Sequence, residues 1–220
     1  MISPDTLFSG QHGLQLLENG NLVFFDNGID NMIWASGQYA ARYNDGAPFE
    51  PRGYLTDYYT DNAVEVIEAN ANRSFFLYLS HWGIHNPLQA TREDYEALSH
   101  IEDHGLRVYS AMIIALDRSV ARVVQAVEDN GLSDNTIIIF TSDNGGEEFV
   151  TSNHPFRAGK STLYEGGIRE PLIVRWPGKV PANTISNVTT SNFDFYPTLL
   201  DAAGINVDPK QKLDGLSILP

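Results

Sequence analysis

Cysteine is absent from the 220 residues of this sequence. Disulfide bonds and thiolate metal sites are therefore excluded. Long apolar runs are absent as well, and no window approaches the length of a membrane-spanning helix, so we predict no membrane segment. Basic residues are few, because 14 Lys and Arg stand against 28 Asp and Glu and leave a net charge of −14. That charge argues against nucleic acid, or another polyanion, as a general partner.

The chain is long enough for one good hydrophobic core, and 42% of its residues are hydrophobic. Residues 1–50 carry few structural signals. Two apolar stretches in that segment, 14–17 and 21–25, predict a short hairpin around Asn19-Gly20. We therefore divide the sequence into a poorly readable N-terminal segment, 1–50, and an α/β portion, 51–220.

Helical and strand patterns alternate from residue 51 onward. The clearest pattern is an apolar stripe at spacings of three and four residues, which predicts a helix over 103–129, closed by Asn130-Gly131. The other predicted helices are 55–70, 91–98 and 192–203, and the predicted strands are 75–79, 137–140 and 172–176. This order is typical of an α/β fold, and we expect a mixed, mostly parallel sheet with helices on both faces.

Polar residues follow the predicted strand 137–140 directly. Asp143 and Asn144 stand in an Asp-Asn-Gly-Gly turn at the carboxyl end of this strand, where open α/β sheets bind their ligands. Their side chains offer two hard oxygen ligands suited to Ca²⁺ or Mg²⁺. A strand-ending Asx turn without a metal is the alternative. Lys160 follows on a glycine-flanked loop as a point charge suited to a sulfate or phosphate oxygen.

Four segments together resemble the sulfatase family of the alkaline phosphatase superfamily. They are TSDNGG at 141–146, GKSTLYEGGIREPLIVRWPG at 159–178, FFLYLSHWGIHNPLQ at 75–89 and NFDFYPTLLDAAG at 192–204. Their order and spacing agree with the family, and the likeness is closest to arylsulfatase-type and glycosaminoglycan-desulfating members. The resemblance implies an alkaline-phosphatase-like α/β fold, incomplete at its N-terminal side. It also implies hydrolysis of the sulfate ester of a small molecule or sugar.

The resemblance implies roles for individual residues. Asp143 and Asn144 are expected to hold one Ca²⁺ together with two acids of an earlier segment, so this chain supplies only part of the metal site. Lys160 is expected to contact the sulfate. His85 is expected to bind the ester oxygen or to protonate the leaving alcohol, a common task for histidine.

Other polar residues near these motifs are given lesser roles. His81 and His154 are weaker candidates that would line the substrate side. Glu165, Arg169 and Glu170 are expected to support the structure, because charged residues between a loop and a strand commonly form an internal ion pair.

One part of the family pattern has no counterpart in the sequence. Sulfatases use a nucleophile formed from the Cys or Ser of a C/S-x-P/A-x-R segment, oxidised to formylglycine, and no such segment occurs here. We therefore expect this chain alone, as a fragment of a sulfatase domain, to be inactive.

Two alternatives stay open at this point. One is a phosphodiesterase or phosphonate hydrolase of the same superfamily, and the other is a pseudoenzyme that lacks the formylglycine segment. The compartment is open too. Family members are typically periplasmic, secreted or lysosomal, and residues 1–5 show no secretory signal.

Overall fold

The computed structural model describes residues 15–16, 23–25, 49, 51–207 and 209–219. Contacts divide the chain into two units, Met1–Val180 and Pro181–Pro220. All four predicted site residues belong to the first unit. The predicted boundary between residues 50 and 51 stays a prediction, because most of the segment 1–50 lies outside the described residues.

The described helices are α1 (Leu55–Ala69), α2 (Arg92–Ala97), α3 (His104–Asp129), α4 (Glu165–Ile168) and α5 (Phe195–Ala202). Four of the described helices agree in position with the predicted ones, and the short helix α4 was not predicted. Short 3-10 turns occupy Ser133–Asn135 and Asn192–Asp194. None of the helices in the described part of the chain is long and apolar enough to cross a membrane.

Local contacts and backbone conformation fix both ends of the long helix α3. The Asp103 carboxylate accepts a hydrogen bond from the Leu106 amide and so satisfies one of the free donors of the first turn. At the other end, Gly131 adopts a φ of 69°, the left-handed conformation that glycine takes without steric cost. The predicted C-terminal cap at Asn130-Gly131 is therefore confirmed.

The described strands are β1 (Gln15–Leu16), β2 (Val23–Phe25), β3 (Leu77–Leu79), β4 (Ile138–Thr141) and β5 (Leu172–Arg175). β2 pairs antiparallel with β1, as the predicted hairpin requires, and parallel with β3. β4 pairs antiparallel with β5, and Thr141 lies opposite Leu172. The pairing is mixed, as predicted, with two of the three described ladders antiparallel. The segments after β4 and before β5 consequently share one edge of their sheet.

The core of the first unit lies where α1 and α3 meet the strands. Ile67 of α1 is buried together with Ala126 and Val127 of α3, and Leu77 of β3 and Ile138 of β4 pack against them. Burying side chains such as Ile67 stabilises the fold by roughly 1.5–3 kcal/mol each. This cluster holds β3 and β4, the strands that precede the two candidate site loops, against the same pair of helices.

An ion pair joins α2 to α3. Asp94 is buried and receives both guanidinium nitrogens of Arg118, over 2.8 and 3.0 Å. Arg118 lowers the pKa of the Asp94 carboxyl below its ordinary value, and the Thr91 hydroxyl adds to this effect. Thr91 also caps α2, since its side chain accepts a hydrogen bond from the Asp94 amide.

The second unit is built around α5. Ser191 and Asp194 form a capping box at the start of the preceding turn. The Asp194 carboxylate also accepts a hydrogen bond from the Leu216 amide over 2.9 Å, which ties the end of this unit to the helix start. Pro197 lies in the first turn of α5, and Gly204 follows its end with a φ of 68°.

Candidate functional site

The Asp-Asn-Gly-Gly turn follows β4 directly. Asp143 is exposed and Asn144 is half-buried. The Ser142 hydroxyl donates a hydrogen bond to the carbonyl oxygen of Asn144 over 2.9 Å and so stiffens the turn from within. The two predicted metal ligands therefore sit on an ordered turn at the carboxyl end of β4.

Asn153 fixes the end of this turn from outside. Its Oδ1 accepts a hydrogen bond from the Gly146 amide over 2.9 Å, and its Nδ2 donates to the Gly146 carbonyl oxygen over 3.0 Å. Both polar groups of one glycine are thus held by one side chain. Sequence reasoning missed this residue, because nothing in the spacing of Asn153 distinguishes it from an ordinary loop asparagine.

The loop that carries Lys160 is hydrogen-bonded to the same turn. The Lys160 amide donates to the carbonyl oxygen of Gly146, and the Gly145 amide donates to that of Gly167, each over 3.1 Å. Lys160 is half-buried. The structure therefore brings the segment of Lys160 alongside the turn of Asp143 and Asn144.

Glycine is needed where these two segments touch. A Cβ on Gly145 would clash with the carbonyl oxygen of Gly166, and a Cβ on Gly159 would clash with the carbonyl oxygen of Gly146. These glycines lie within the two motifs that carry the family resemblance. Their role is close approach between two backbones.

The Lys160 loop is also closed on itself. The Arg157 guanidinium lies over the ring of Tyr164, 3.8 Å from its centroid, and the Gly166 amide donates to the Arg157 carbonyl oxygen over 2.9 Å. Within the loop, the Thr162 hydroxyl donates to the Gly159 carbonyl oxygen over 2.7 Å. These contacts limit the freedom of the backbone on which Lys160 stands.

Glu170 has a different environment from the one expected. The ion pair of this region joins Arg169 to Glu165 over 3.5 Å, and both side chains are exposed. It is thus a surface pair rather than the internal pair that was expected.

Glu170 lies outside this ion pair, and its Oε1 is shielded from solvent with no hydrogen-bond partner among the described residues. Burial raises the pKa of the Glu170 carboxyl, and the Asp143 carboxylate raises it further.

His85 lies on the loop after β3. Its ring stacks at a tilt against Trp82, with centroids 4.3 Å apart, and its Nδ1 lies 2.8 Å from the Asn86 carbonyl oxygen. These contacts are all within its own loop. β3 and β4 lie in different ladders of the described strands. The convergence of His85 with Asp143 and Lys160 therefore stays a prediction.

His81 is part of a buried polar network. Its Nε2 lies 2.9 Å from the hydroxyl of Ser119, which lies 2.6 Å from the hydroxyl of Thr60. Burial lowers the pKa of His81 to about 4, so the ring is neutral at physiological pH. His81 therefore anchors the loop of His85 to α1 and α3. His154, the other weaker candidate, is exposed.

The donors at the turn suit a hard cation. Asp143 and Asn144 present oxygens, and Glu170 adds a buried oxygen without a partner beside Asp143. No group of three or more His, Asp or Glu side chains that could hold a metal occurs among the described residues. The oxygen donors are of the type that Ca²⁺ takes, but they are fewer than the roughly six to eight that it needs, so further ligands would be required from elsewhere.

Comparisons with a family model and with known sequences point to the same family. The family described as Sulfatase matches residues 6–205. Uncharacterized sulfatase YdeN of Escherichia coli (strain K12) is 32% identical over 206 residues, which cover 89% of this chain and 37% of that protein. N-acetylgalactosamine-6-sulfatase of Canis lupus familiaris is 32% identical over 198 residues, which cover 86% of this chain and 37% of that protein. The chain spans little more than a third of the length of these relatives.

Solved structures agree with the sequences. The crystal structure of Ps i-CgsB in complex with k-i-k-neocarrahexaose is 37% identical, with a TM-score of 0.77 over 80% of this chain and 40% of that one. BT4656 in complex with its substrate D-Glucosamine-2-N, 6-O-disulfate is 20% identical, with a TM-score of 0.67 over 80% of this chain and 53% of that one, a likeness of fold alone. The chain therefore belongs to the sulfatase family and has the α/β fold of the alkaline phosphatase superfamily.

Proposed function

We propose that this chain is part of a sulfuric ester hydrolase that acts on a sulfated sugar. Family membership supports the reaction, and two relatives support the sugar. One is named as a sulfatase of N-acetylgalactosamine, and the other, at 37% identity, was solved with a neocarrahexaose bound.

The observation that carries the proposal is the pair of backbone hydrogen bonds that join the Lys160 loop to the turn of Asp143 and Asn144. A cationic side chain and two hard oxygen donors thereby stand on adjoining segments. Such a site matches a sulfate group, whose oxygens accept hydrogen bonds from an ammonium and also bind a divalent cation.

Each residue has a defined task in this proposal. Lys160 binds a sulfate oxygen and opposes the negative charge that grows as the ester bond breaks. His85 binds the ester oxygen and gives a proton to the departing alcohol of the sugar. Asp143 and Asn144 would hold Ca²⁺, which when bound draws electron density from the sulfate oxygens.

The nucleophile lies outside the steps assigned to these residues. A formylglycine precursor does not occur in this sequence. What this chain contributes is the binding of the sulfate and of the leaving group. Binding can therefore be measured on the chain itself, without turnover.

The test is a titration of the ¹⁵N-labelled chain with N-acetylgalactosamine 6-sulfate, followed by NMR. We expect the amide signals of Gly145 and Gly146 to shift with the sulfated sugar and not with unsulfated N-acetylgalactosamine. A second titration with N-acetylgalactosamine 6-phosphate distinguishes a sulfatase from a phosphoesterase. A phosphoesterase would bind the 6-phosphate more tightly than the 6-sulfate.

Two lysine variants make the titration specific. Lys160→Ala is expected to abolish the shifts, because it removes the cation from the site. Lys179→Ala is the matched control, since Lys179 is an exposed lysine beyond β5. If both variants lost binding equally, the loss would reflect only the change in net charge of the chain. That result would contradict the proposed role of Lys160.

A further inference from the structure

Glu170 is a carboxylate without a partner in a chain segment that is otherwise closely hydrogen-bonded. It stands between α4 and β5, is half-buried, and has its Oε1 shielded from solvent with no hydrogen bond among the described residues. Leaving a charged oxygen buried and unpaired costs more free energy than leaving a neutral polar group so. The neighbouring arginine does not relieve this cost, because Arg169 pairs with Glu165.

Strand register brings Glu170 to the predicted metal ligands. Thr141 lies opposite Leu172 at the end of the antiparallel ladder. Asp143 follows Thr141 by two residues and Glu170 precedes Leu172 by two, so both lie on adjoining segments just beyond the ladder. The two chains stay alongside each other beyond this point, since the Gly145 amide bonds to the Gly167 carbonyl oxygen over 3.1 Å.

Two carboxylates on adjoining segments repel each other when no cation lies between them. A cation between them reverses the sign of this interaction. It also supplies the partner that Glu170 Oε1 lacks. A single divalent cation would thus explain both why Asp143 and Glu170 lie on adjoining segments and why Glu170 Oε1 has no hydrogen-bond partner among the described residues.

We propose that Glu170 is an additional oxygen donor toward the cation held by Asp143 and Asn144, from the opposite side of the turn. This inference rests on the cation site of the proposed function and adds a residue to it. Glu170 would bind the ion directly or through one water. The role expected from the sequence, a structural ion pair, is met by Glu165 instead.

The test is Ca²⁺ binding by the ¹⁵N-labelled chain, followed at the amides of Gly145 and Gly146 after treatment with a chelator. Glu170→Gln keeps the shape of the side chain and removes its charge. We expect it to weaken Ca²⁺ binding by at least about tenfold, the loss typical of groups that support a metal site. Glu165→Gln is the control, because Glu165 is an exposed acid of the same segment, and its affinity should equal that of the wild type.

Thermal unfolding gives a second readout. Without Ca²⁺, Glu170→Gln should melt at the wild-type temperature or above it, because the variant removes an unpaired charge. With Ca²⁺, it should gain less in melting temperature than the wild type. A lower melting temperature without Ca²⁺ would reveal a structural partner of Glu170 and overturn the inference.

Asp143→Asn separates this inference from the proposed function. If Asp143→Asn loses Ca²⁺ binding while Glu170→Gln binds like the wild type, the role of Glu170 is refuted and the proposed site stands. If Asp143→Asn also binds like the wild type, or if the wild type does not bind, the cation site itself is refuted and the role of Glu170 with it.

Discussion

The Lys160 amide donates a hydrogen bond to the carbonyl oxygen of Gly146 over 3.1 Å and so ties the loop cation to the turn of the predicted metal ligands. Antiparallel pairing makes this contact possible. The loop before β5 reaches the carboxyl end of β4 because the two strands run in opposite directions. In a parallel pair, the same loop would reach the opposite edge of the sheet.

Gly159→Ala should break this contact. The new methyl group would clash with the Gly146 carbonyl oxygen and with Asn153 Nδ2, which are hydrogen-bonded to each other over 3.0 Å. We expect a loss of about 1–3 kcal/mol in the free energy of unfolding, as for other overpacked sites. Urea denaturation measures it. The control is Gly105→Ala, whose Cβ would meet only ordinary contacts at 3.5 and 3.8 Å and which should be neutral or stabilising. Equal stability of both variants would contradict the tight docking of the loop.

Asp94→Ala should destabilise the link between α2 and α3. It removes the carboxylate that accepts both nitrogens of Arg118, and it leaves that partly buried guanidinium only the weaker contact with Asp57, 3.9 Å away. We expect a loss of about 2 kcal/mol in the free energy of unfolding, within the range for hydrogen bonds to charged groups.

Glu96→Ala is the matched control for this change. Glu96 also pairs with an arginine, Arg92, over 2.6 Å, but both side chains of that pair are exposed. An exposed pair of this kind contributes about 0.5 kcal/mol or less. A similar effect of the two substitutions in urea denaturation would show that burial of the Asp94 pair is unimportant.

The helices could be predicted from the sequence because their signals are local. The apolar stripe of α3, the cap at Asp103 and the left-handed Gly131 each depend on residues within one or two turns. Strand direction is not a local property. A short apolar strand such as β5 has the same sequence pattern in a parallel and in an antiparallel pair. The direction of pairing therefore depends on the strand beside which it lies.

The site could be predicted in part. Asp143, Asn144 and Lys160 were predicted because they belong to motifs of characteristic spacing, and the structure places their segments side by side. The contacts of Asn153 and the unpaired oxygen of Glu170 could not be predicted, because they depend on which distant segment lies beside them. Such contacts between distant segments leave no period or spacing in the sequence.

The 220-residue chain should not hydrolyse a chromogenic sulfate ester in the presence of Ca²⁺. The sequence contains no precursor of the formylglycine nucleophile. Covalent catalysis divides a hard step into two easier ones, and its loss forfeits most of the acceleration. A spectrophotometric assay of the purified chain decides the matter. Turnover on the order of 1 per second or faster, an ordinary rate for an enzyme, would refute this prediction.

His81 should make the stability of the chain fall in mild acid. Its pKa is about 4 in the folded chain against 6.5 in the unfolded one, because burial disfavours the charged ring. Between these values the unfolded state binds the extra proton, so stability decreases as the pH falls from 6.5 toward 4 and is unaffected above pH 7. The shift corresponds to a loss on the order of 3 kcal/mol.

Comparison with His81→Gln isolates this effect. Glutamine keeps a polar group for the Ser119 hydroxyl, which lies 2.9 Å from His81 Nε2, but does not titrate. Other groups change their protonation alike in both proteins, so the difference between the two urea-denaturation series reports His81. We expect the wild type to lose stability relative to the variant between pH 7 and pH 4, in proportion to the shift in pKa. If the free energies of unfolding of the two proteins changed with pH in parallel, His81 would be protonated as easily in the folded chain as in the unfolded one. That result would contradict the burial of His81 in the network with Ser119.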